Sequence, residues 1–90
     1  MNGLEKARKI INEVDAEMAK LFEKRMKASE LVAEYKKQHA LSILDEVREA
    51  EVVKKNAEYI EDKTICEYYV TFLKETMKIS RAYQSRLPPL

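Results

Sequence analysis

The sequence predicts an all-α fold with three helices per chain, of which the first is much the longest. Two observations carry this prediction. The chain has a single Gly and two Pro in 90 residues, and both prolines, Pro88 and Pro89, lie at its end. The interior therefore contains almost no residue that breaks a helix. In addition, apolar residues recur at steps of three, four and seven, which is the period of one helical face.

The first predicted helix runs from about Leu4 to about Gln38. A helix of about 35 residues is roughly 50 Å long, whereas a compact domain of this size has a radius of gyration near 12 Å. Two shorter helices of the same chain cannot cover so long an apolar stripe. We therefore expect a second copy of the chain to cover it, in a two-fold homodimer. The apolar stripe consists of Leu4, Ala7, Ile11, Val14, Met18, Leu21, Ala28, Val32 and Tyr35.

Residues 39–44 carry no charge and show no periodicity, so we expect a connection there. Ser42 and Asp45 are both candidate N-caps for the second helix. That helix is predicted to begin near Asp45 or Glu46 and to end near Ile60.

A short turn is predicted at residues 61–64, before the third helix. Thr64 and Glu67 have the spacing of a capping box, in which each side chain bonds the other residue's amide. The third helix is then expected to run to about Ser85. Residues 87–90 read as a tail.

The charge balance excludes several classes of protein. Seventeen Lys and Arg stand against 16 Asp and Glu, for a net charge of +1, and a nucleic-acid-binding protein would show a basic excess. No apolar run approaches the ~20 residues of a membrane span, and the charged N-terminal segment does not resemble a signal peptide. We expect a single cytoplasmic domain over residues 1–90, with no nucleic-acid or membrane partner.

The sequence also lacks the usual signals for a metal or a cofactor. It has no paired cysteines, no HExxH motif and no glycine-rich phosphate loop,. Cys66 is the only cysteine and His39 the only histidine, so a metal site and a Cys–His nucleophile are both unsupported. We expect no metal and no cofactor.

The spacing of three cationic residues of the first helix bears on a possible anion-binding site. Arg25 and Lys36 are 11 residues apart, so their directions around the helix axis differ by only about 20° and they share a face. They are roughly 16 Å apart along the axis. Two long cationic side chains at that spacing could hold one small anion between them. Arg8 lies roughly 26 Å before Arg25 and points about 100° away. Arg8 therefore cannot join such a site in its own chain, but it could enter the site from an antiparallel partner chain.

Polar residues also occupy unexpected positions on the other helices. Ser80 and Gln84 are adjacent on the third helix, because they are four residues apart, and they replace apolar residues of its stripe. Arg48 and Glu49 lie in the first turns of the second helix. Taken singly, each is more simply a solvated surface residue, and Glu49 would then pair with Lys36 or Arg48.

Taken in order, these residues resemble the pattern of the all-helical class of chorismate mutases. No single piece of the pattern is specific. The pattern is specific because eight polar positions occur together in the correct order and spacing: Arg8, Arg25, Lys36, Asp45, Arg48, Glu49, Ser80 and Gln84. The pieces are Arg8-x-x-Ile11-x-x-x-Asp15 followed by Arg25 and Lys36, the run Asp45-Glu46-Val47-Arg48-Glu49, and Ser80-x-x-x-Gln84.

The resemblance implies an intertwined helical homodimer with two equivalent active sites, each completed by Arg8 of the other chain. It implies the conversion of chorismate to prephenate, an intramolecular Claisen rearrangement in the shikimate pathway of aromatic amino acid biosynthesis. That reaction needs no covalent intermediate, metal or cofactor.

The resemblance also implies catalytic roles for Lys36, Gln84 and Arg25. Arg25 and the Arg8 of the partner chain would hold the two carboxylates of chorismate. Lys36 and Gln84 would donate hydrogen bonds to the ether oxygen as its bond to carbon breaks. The substrate-binding set implied is Arg8, Arg25, Lys36, Asp45, Arg48, Glu49, Ser80 and Gln84.

Two alternatives stay open at this point. An isochorismate pyruvate lyase of the same fold also places cations around an enolpyruvyl ether, although the Arg48–Glu49 and Ser80–Gln84 pairs favour the mutase. A non-catalytic helical dimerisation module would explain the length and periodicity of the chain, but not the shared spacing of its polar residues.

Overall fold

Helix-favouring residues along most of the chain fold into three α-helices, as the sequence predicts. The structure, a computed structural model, describes residues 1–87, so residues 88–90 of the predicted tail lie outside the described residues. No β-strand occurs within residues 1–87. The elements are α1 (Gly3–Gln38), α2 (Glu46–Ala57), a 3₁₀ turn (Lys63–Ile65) and α3 (Cys66–Arg86).

Both ends of α1 are closed by local hydrogen bonds. The Asn2 side chain accepts a bond from the Glu5 amide at 2.8 Å and donates one to the Glu5 carboxylate at 3.1 Å. At the other end, Ala40 adopts a left-handed conformation with φ 53°, and the Leu41 amide bonds the Lys36 carbonyl at 2.7 Å. This is a Schellman-type ending, which turns the chain back beside α1.

Helix α2 begins as predicted but ends earlier. The Asp45 carboxylate accepts a hydrogen bond from the Arg48 amide at 2.9 Å, so Asp45, and not Ser42, is the N-cap. The helix ends at Ala57 rather than near Ile60. The amides that follow bond carbonyls three residues back instead of four, which tightens the chain into a turn.

The capping box predicted at Thr64 and Glu67 is wrong. The Asp62 carboxylate accepts bonds from the Thr64 amide at 3.0 Å and from its hydroxyl at 2.6 Å. Thr64 lies inside a 3₁₀ turn that precedes α3, and the N-cap position of α3 is Ile65, which makes no side-chain cap bond. The two bonds from Thr64, the hydroxyl first and then the amide, lower the pKa of Asp62 from its ordinary value of 3.8.

The packed part of the chain is small, and α1 projects well beyond it. Residues 1–24 are all exposed. The radius of gyration is 16.4 Å, against roughly 12 Å for a compact domain of this length. The buried apolar side chains among residues 1–87 are Ala33, Leu73 and Met77.

None of the helices within residues 1–87 is long and apolar enough to cross a membrane.

Helix α3 lies between the other two helices. It packs against α1 and against α2, whereas no Cα atom of α1 comes within 8 Å of one in α2. The helices therefore enclose a gap, with α1 and α2 as its walls and α3 as its floor.

Candidate active site

A cavity of about 320 Å³ occupies the gap between α1 and α2. All three helices and the connection between α1 and α2 contribute to its lining. Its size is within the usual range for a small-molecule site. Seven of the eight site residues predicted from the sequence line this one cavity: Arg25, Lys36, Asp45, Arg48, Glu49, Ser80 and Gln84.

The two cations of the α1 wall are each held by a hydrogen bond to a residue outside α1. The Arg25 guanidinium donates a hydrogen bond to the Ser80 hydroxyl on α3. The Lys36 ammonium donates to the Ile43 carbonyl, 2.8 Å away in the connection. An ammonium has three N–H donors and a guanidinium five, so both groups retain donors for a ligand.

The floor of the cavity is polar although it is buried. Ser80 and Gln84 are only 7% and 6% exposed. The Gln84 amide nitrogen donates to the Ser29 carbonyl of α1 at 3.0 Å, and its second N–H stays available as a donor. Buried polar side chains cost stability unless they are hydrogen-bonded, so these two require the partners that they have.

The α2 wall carries both signs of charge. The Asp45 carboxylate caps the helix, while the exposed Arg48 guanidinium makes no hydrogen bond or ion pair with residues 1–87. Glu49 pairs with Arg81 of α3, so the interpretation that it pairs with Lys36 or Arg48 is wrong.

Arg81 was missed as a lining residue, and so were Ser29 and Ile43. In the sequence Arg81 looks like any charged surface residue of a helix. The one available signal was its position next to Ser80, which already interrupted the apolar stripe.

Taken together, the charges of the lining residues favour an anion in the cavity. Four cationic side chains and two carboxylates line it. One carboxylate is paired with Arg81, and the other lies at the positive end of the α2 dipole,. The cations are Arg25, Lys36, Arg48 and Arg81.

Arg8 is the one predicted site residue that a single chain does not bring to the cavity. It lies on the exposed part of α1, roughly 26 Å along the helix from Arg25. Its nearest surface groove is formed by neighbouring residues of α1 alone.

The fold and the cavity define a class: a helical protein with a cationic pocket whose size and charge suit a small organic anion. No Cys and no His lines the pocket, so it contains no Ser–His or Cys–His pair for nucleophilic chemistry. The family model for chorismate mutase type II matches residues 7–85. The chain belongs to this family, and it is an enzyme of the isomerase class. No curated protein and no solved structure matches the chain.

Proposed function

We propose that the cavity between α1 and α2 converts chorismate to prephenate, in the synthesis of aromatic amino acids. The observation that carries this proposal is the meeting of Arg25, Lys36 and Gln84 in one cationic cavity. In the reaction, the ether C–O bond of the enolpyruvyl arm breaks as a C–C bond forms within the same molecule. No proton, electron or group leaves, so the protein supplies shape and charge.

Substrate binding selects the reactive conformation. Chorismate carries two carboxylates and prefers an extended form in water, whereas the reaction needs the enolpyruvyl arm folded over the ring. Arg25, oriented by its bond to Ser80, holds one carboxylate, and Arg8 of a second chain holds the other. A guanidinium suits this role because its planar fork binds a carboxylate at two points. Fixing the folded form removes much of the entropic cost of the reaction.

Lys36 and Gln84 stabilise the transition state. Negative charge develops on the ether oxygen as its bond to carbon breaks, and both side chains donate hydrogen bonds to it. Their anchors, the carbonyls of Ile43 and Ser29, hold these donors in place before the reaction begins. Such bonds strengthen in the transition state and therefore raise kcat.

The α2 wall binds the ring of the substrate. Glu49 and the backbone near Asp45 hold the ring hydroxyl, and Arg48 with Ser80 completes the polar wall near the ring carboxylate. The free Arg48 guanidinium supports this role, because its donors have no partner among residues 1–87.

The active form is an intertwined homodimer, with each chain a single domain. The apolar stripe on the projecting part of α1 follows steps of three and four residues, the pattern of helices that pair side by side. Its residues are exposed in the single chain, and an antiparallel α1 of a second chain covers them. The same arrangement carries Arg8 to the cavity of the partner. The residues of this stripe are Leu4, Ile11, Val14, Met18 and Leu21.

A direct assay tests the function. Purified protein is mixed with chorismate at neutral pH without added cofactor, and the loss of chorismate absorbance is followed. The product is identified by its acid conversion to phenylpyruvate. Saturable formation of prephenate is expected, and a Lys36→Ala preparation serves as the control for a contaminating enzyme. Release of pyruvate from isochorismate, with chorismate untouched, would identify the related lyase instead.

A further inference from the structure

An ion pair links the α2 wall of the cavity to its floor. The Arg81 Nη1 atom on α3 contacts both carboxylate oxygens of Glu49 on α2. The two side chains are 31% and 26% exposed, so the pair is partly shielded from water. The two other ion pairs among residues 1–87 lie within α1. This pair alone, among those described, joins two helices.

The ion pair reduces the electrostatic repulsion between Glu49 and an anionic ligand in the cavity. A bare carboxylate at Glu49 would repel a ligand that carries two carboxylates, and low-dielectric surroundings would strengthen that repulsion. Arg81 cancels the charge of Glu49. An ionised carboxylate has about four acceptor positions, so Glu49 can still accept a hydrogen bond from a ligand hydroxyl while Arg81 occupies one position on each oxygen.

We propose that Arg81 is a positioning residue for substrate binding and acts through Glu49. It fixes the direction of the Glu49 carboxylate toward the ring hydroxyl of the substrate, and it offsets the repulsion between that carboxylate and the substrate's own charges. The inference rests on the proposed function of the cavity. It adds to that function a residue of α3 that need not touch the substrate.

The proposed role of Arg81 predicts a specific change in the kinetic constants KM and kcat. The ring hydroxyl is not part of the bond that breaks or the bond that forms, so its contact is equally strong in the bound substrate and in the transition state. Loss of such uniform binding raises KM and leaves kcat nearly unchanged. A residue that only supports the fold would instead lower the active fraction, which lowers kcat and leaves KM unchanged.

The test compares Arg81→Met with Lys78→Met, an exposed residue of the same helix outside the cavity lining. Arg81→Met is expected to raise KM for chorismate about tenfold and to change kcat by less than about threefold. Lys78→Met is expected to change neither. Arg81→Lys keeps the charge and is expected to recover most of the lost affinity.

Measuring the effect of Arg81→Met again in the Glu49→Gln variant separates an effect through Glu49 from a direct effect on the substrate. In Glu49→Gln protein a neutral amide replaces the carboxylate, so Arg81→Met is expected to change KM less than about twofold. The same change in KM in both backgrounds would overturn the inference, and so would a fall in kcat at constant KM. Inactivity of the unmodified protein in the same assay would refute the proposed function, a result distinct from either of these.

Discussion

The amide nitrogen of Gln84 donates a hydrogen bond to the backbone carbonyl of Ser29, 3.0 Å away across 55 residues of chain. A carbonyl oxygen can only accept, so the group that faces it must donate. The contact therefore suits an amide at position 84 and disfavours a carboxylate. It also couples the floor of the cavity to the α1 wall that carries Arg25 and Lys36.

Replacing Gln84 with Glu tests this relationship through pH. A neutral amide donates at any ordinary pH, so wild-type kcat/KM is expected to persist through neutral pH. In Gln84→Glu the carboxylate would face the Ser29 carbonyl and could not donate to the ether oxygen, so activity should appear only at acid pH, where the carboxyl is protonated. The measurement is kcat/KM from about pH 4 to about pH 8.

Gln84→Ala provides the matched control, because it removes the donor at every pH. It should be impaired equally across the range. A wild-type rate that itself requires acid conditions would contradict the role of the amide.

The cations of the α1 wall are expected to be essential for turnover. In the proposed mechanism Lys36→Ala removes a donor to the ether oxygen, and a loss of about 100- to 1000-fold in kcat is typical for such a donor. Arg25→Ala would remove the side chain proposed to bind a substrate carboxylate, and it should be nearly inactive. Lys55→Ala, at an exposed position of α2 outside the cavity lining, serves as the control. Circular dichroism and sedimentation should show that the variants remain folded dimers; normal turnover in either α1 variant would refute its role.

The exposed stripe of α1 gives a prediction about assembly. Val14 is 49% exposed in the single chain, so a lysine there costs little within one chain. At a helix–helix interface between chains, the same lysine would bury a charge without a partner. Val14→Lys should therefore shift the protein from dimer to monomer in analytical ultracentrifugation and abolish activity. Glu13→Lys, at a neighbouring exposed position, should remain dimeric. A Val14→Lys protein that stays dimeric would place the interface elsewhere.

Much of the candidate site could be predicted from the sequence, because helical spacing determines which residues share a face of a helix. Arg25 and Lys36 share a face of one helix, and Ser80 and Gln84 share a face of another, so each pair follows from counting residues. That all four meet in one cavity depended on the family pattern, since nothing in the spacing says how α1 packs on α3.

The features that were missed depend on tertiary packing or on competing local bonds. Arg81 pairs with Glu49 across 32 residues, and this contact exists only because α2 and α3 pack together. The capping box at Thr64 failed because Asp62, two residues earlier, accepts bonds from its amide and hydroxyl and begins a 3₁₀ turn, so that α3 starts only at Cys66. Local pattern alone did not show which of two neighbouring polar side chains would cap the turn.

The turn before α3 contributes stability that depends on pH. The two bonds from Thr64 lower the pKa of Asp62 below 3.8, so the folded state favours the ionised carboxylate. That contribution is present above pH 3.8 and is lost as the pH falls through the lowered pKa,. Asp62→Ala should therefore lower the melting temperature at neutral pH, and the difference from wild type should narrow in strong acid. A difference that stays constant from neutral to strongly acid pH would contradict this account of the turn.

The most direct test of a site shared between two chains is to mix two inactive variants. Arg8→Ala and Lys36→Ala homodimers should each be nearly inactive on chorismate, because every site lacks one residue. After the two are unfolded and refolded together, each mixed dimer has one site with both residues intact. Random pairing should then restore about a quarter of the wild-type activity, since half of the dimers are mixed and each has one intact site of two. A mixture as inactive as its two parents, with mixed dimers demonstrated by mass spectrometry, would contradict a site completed by Arg8 of the other chain.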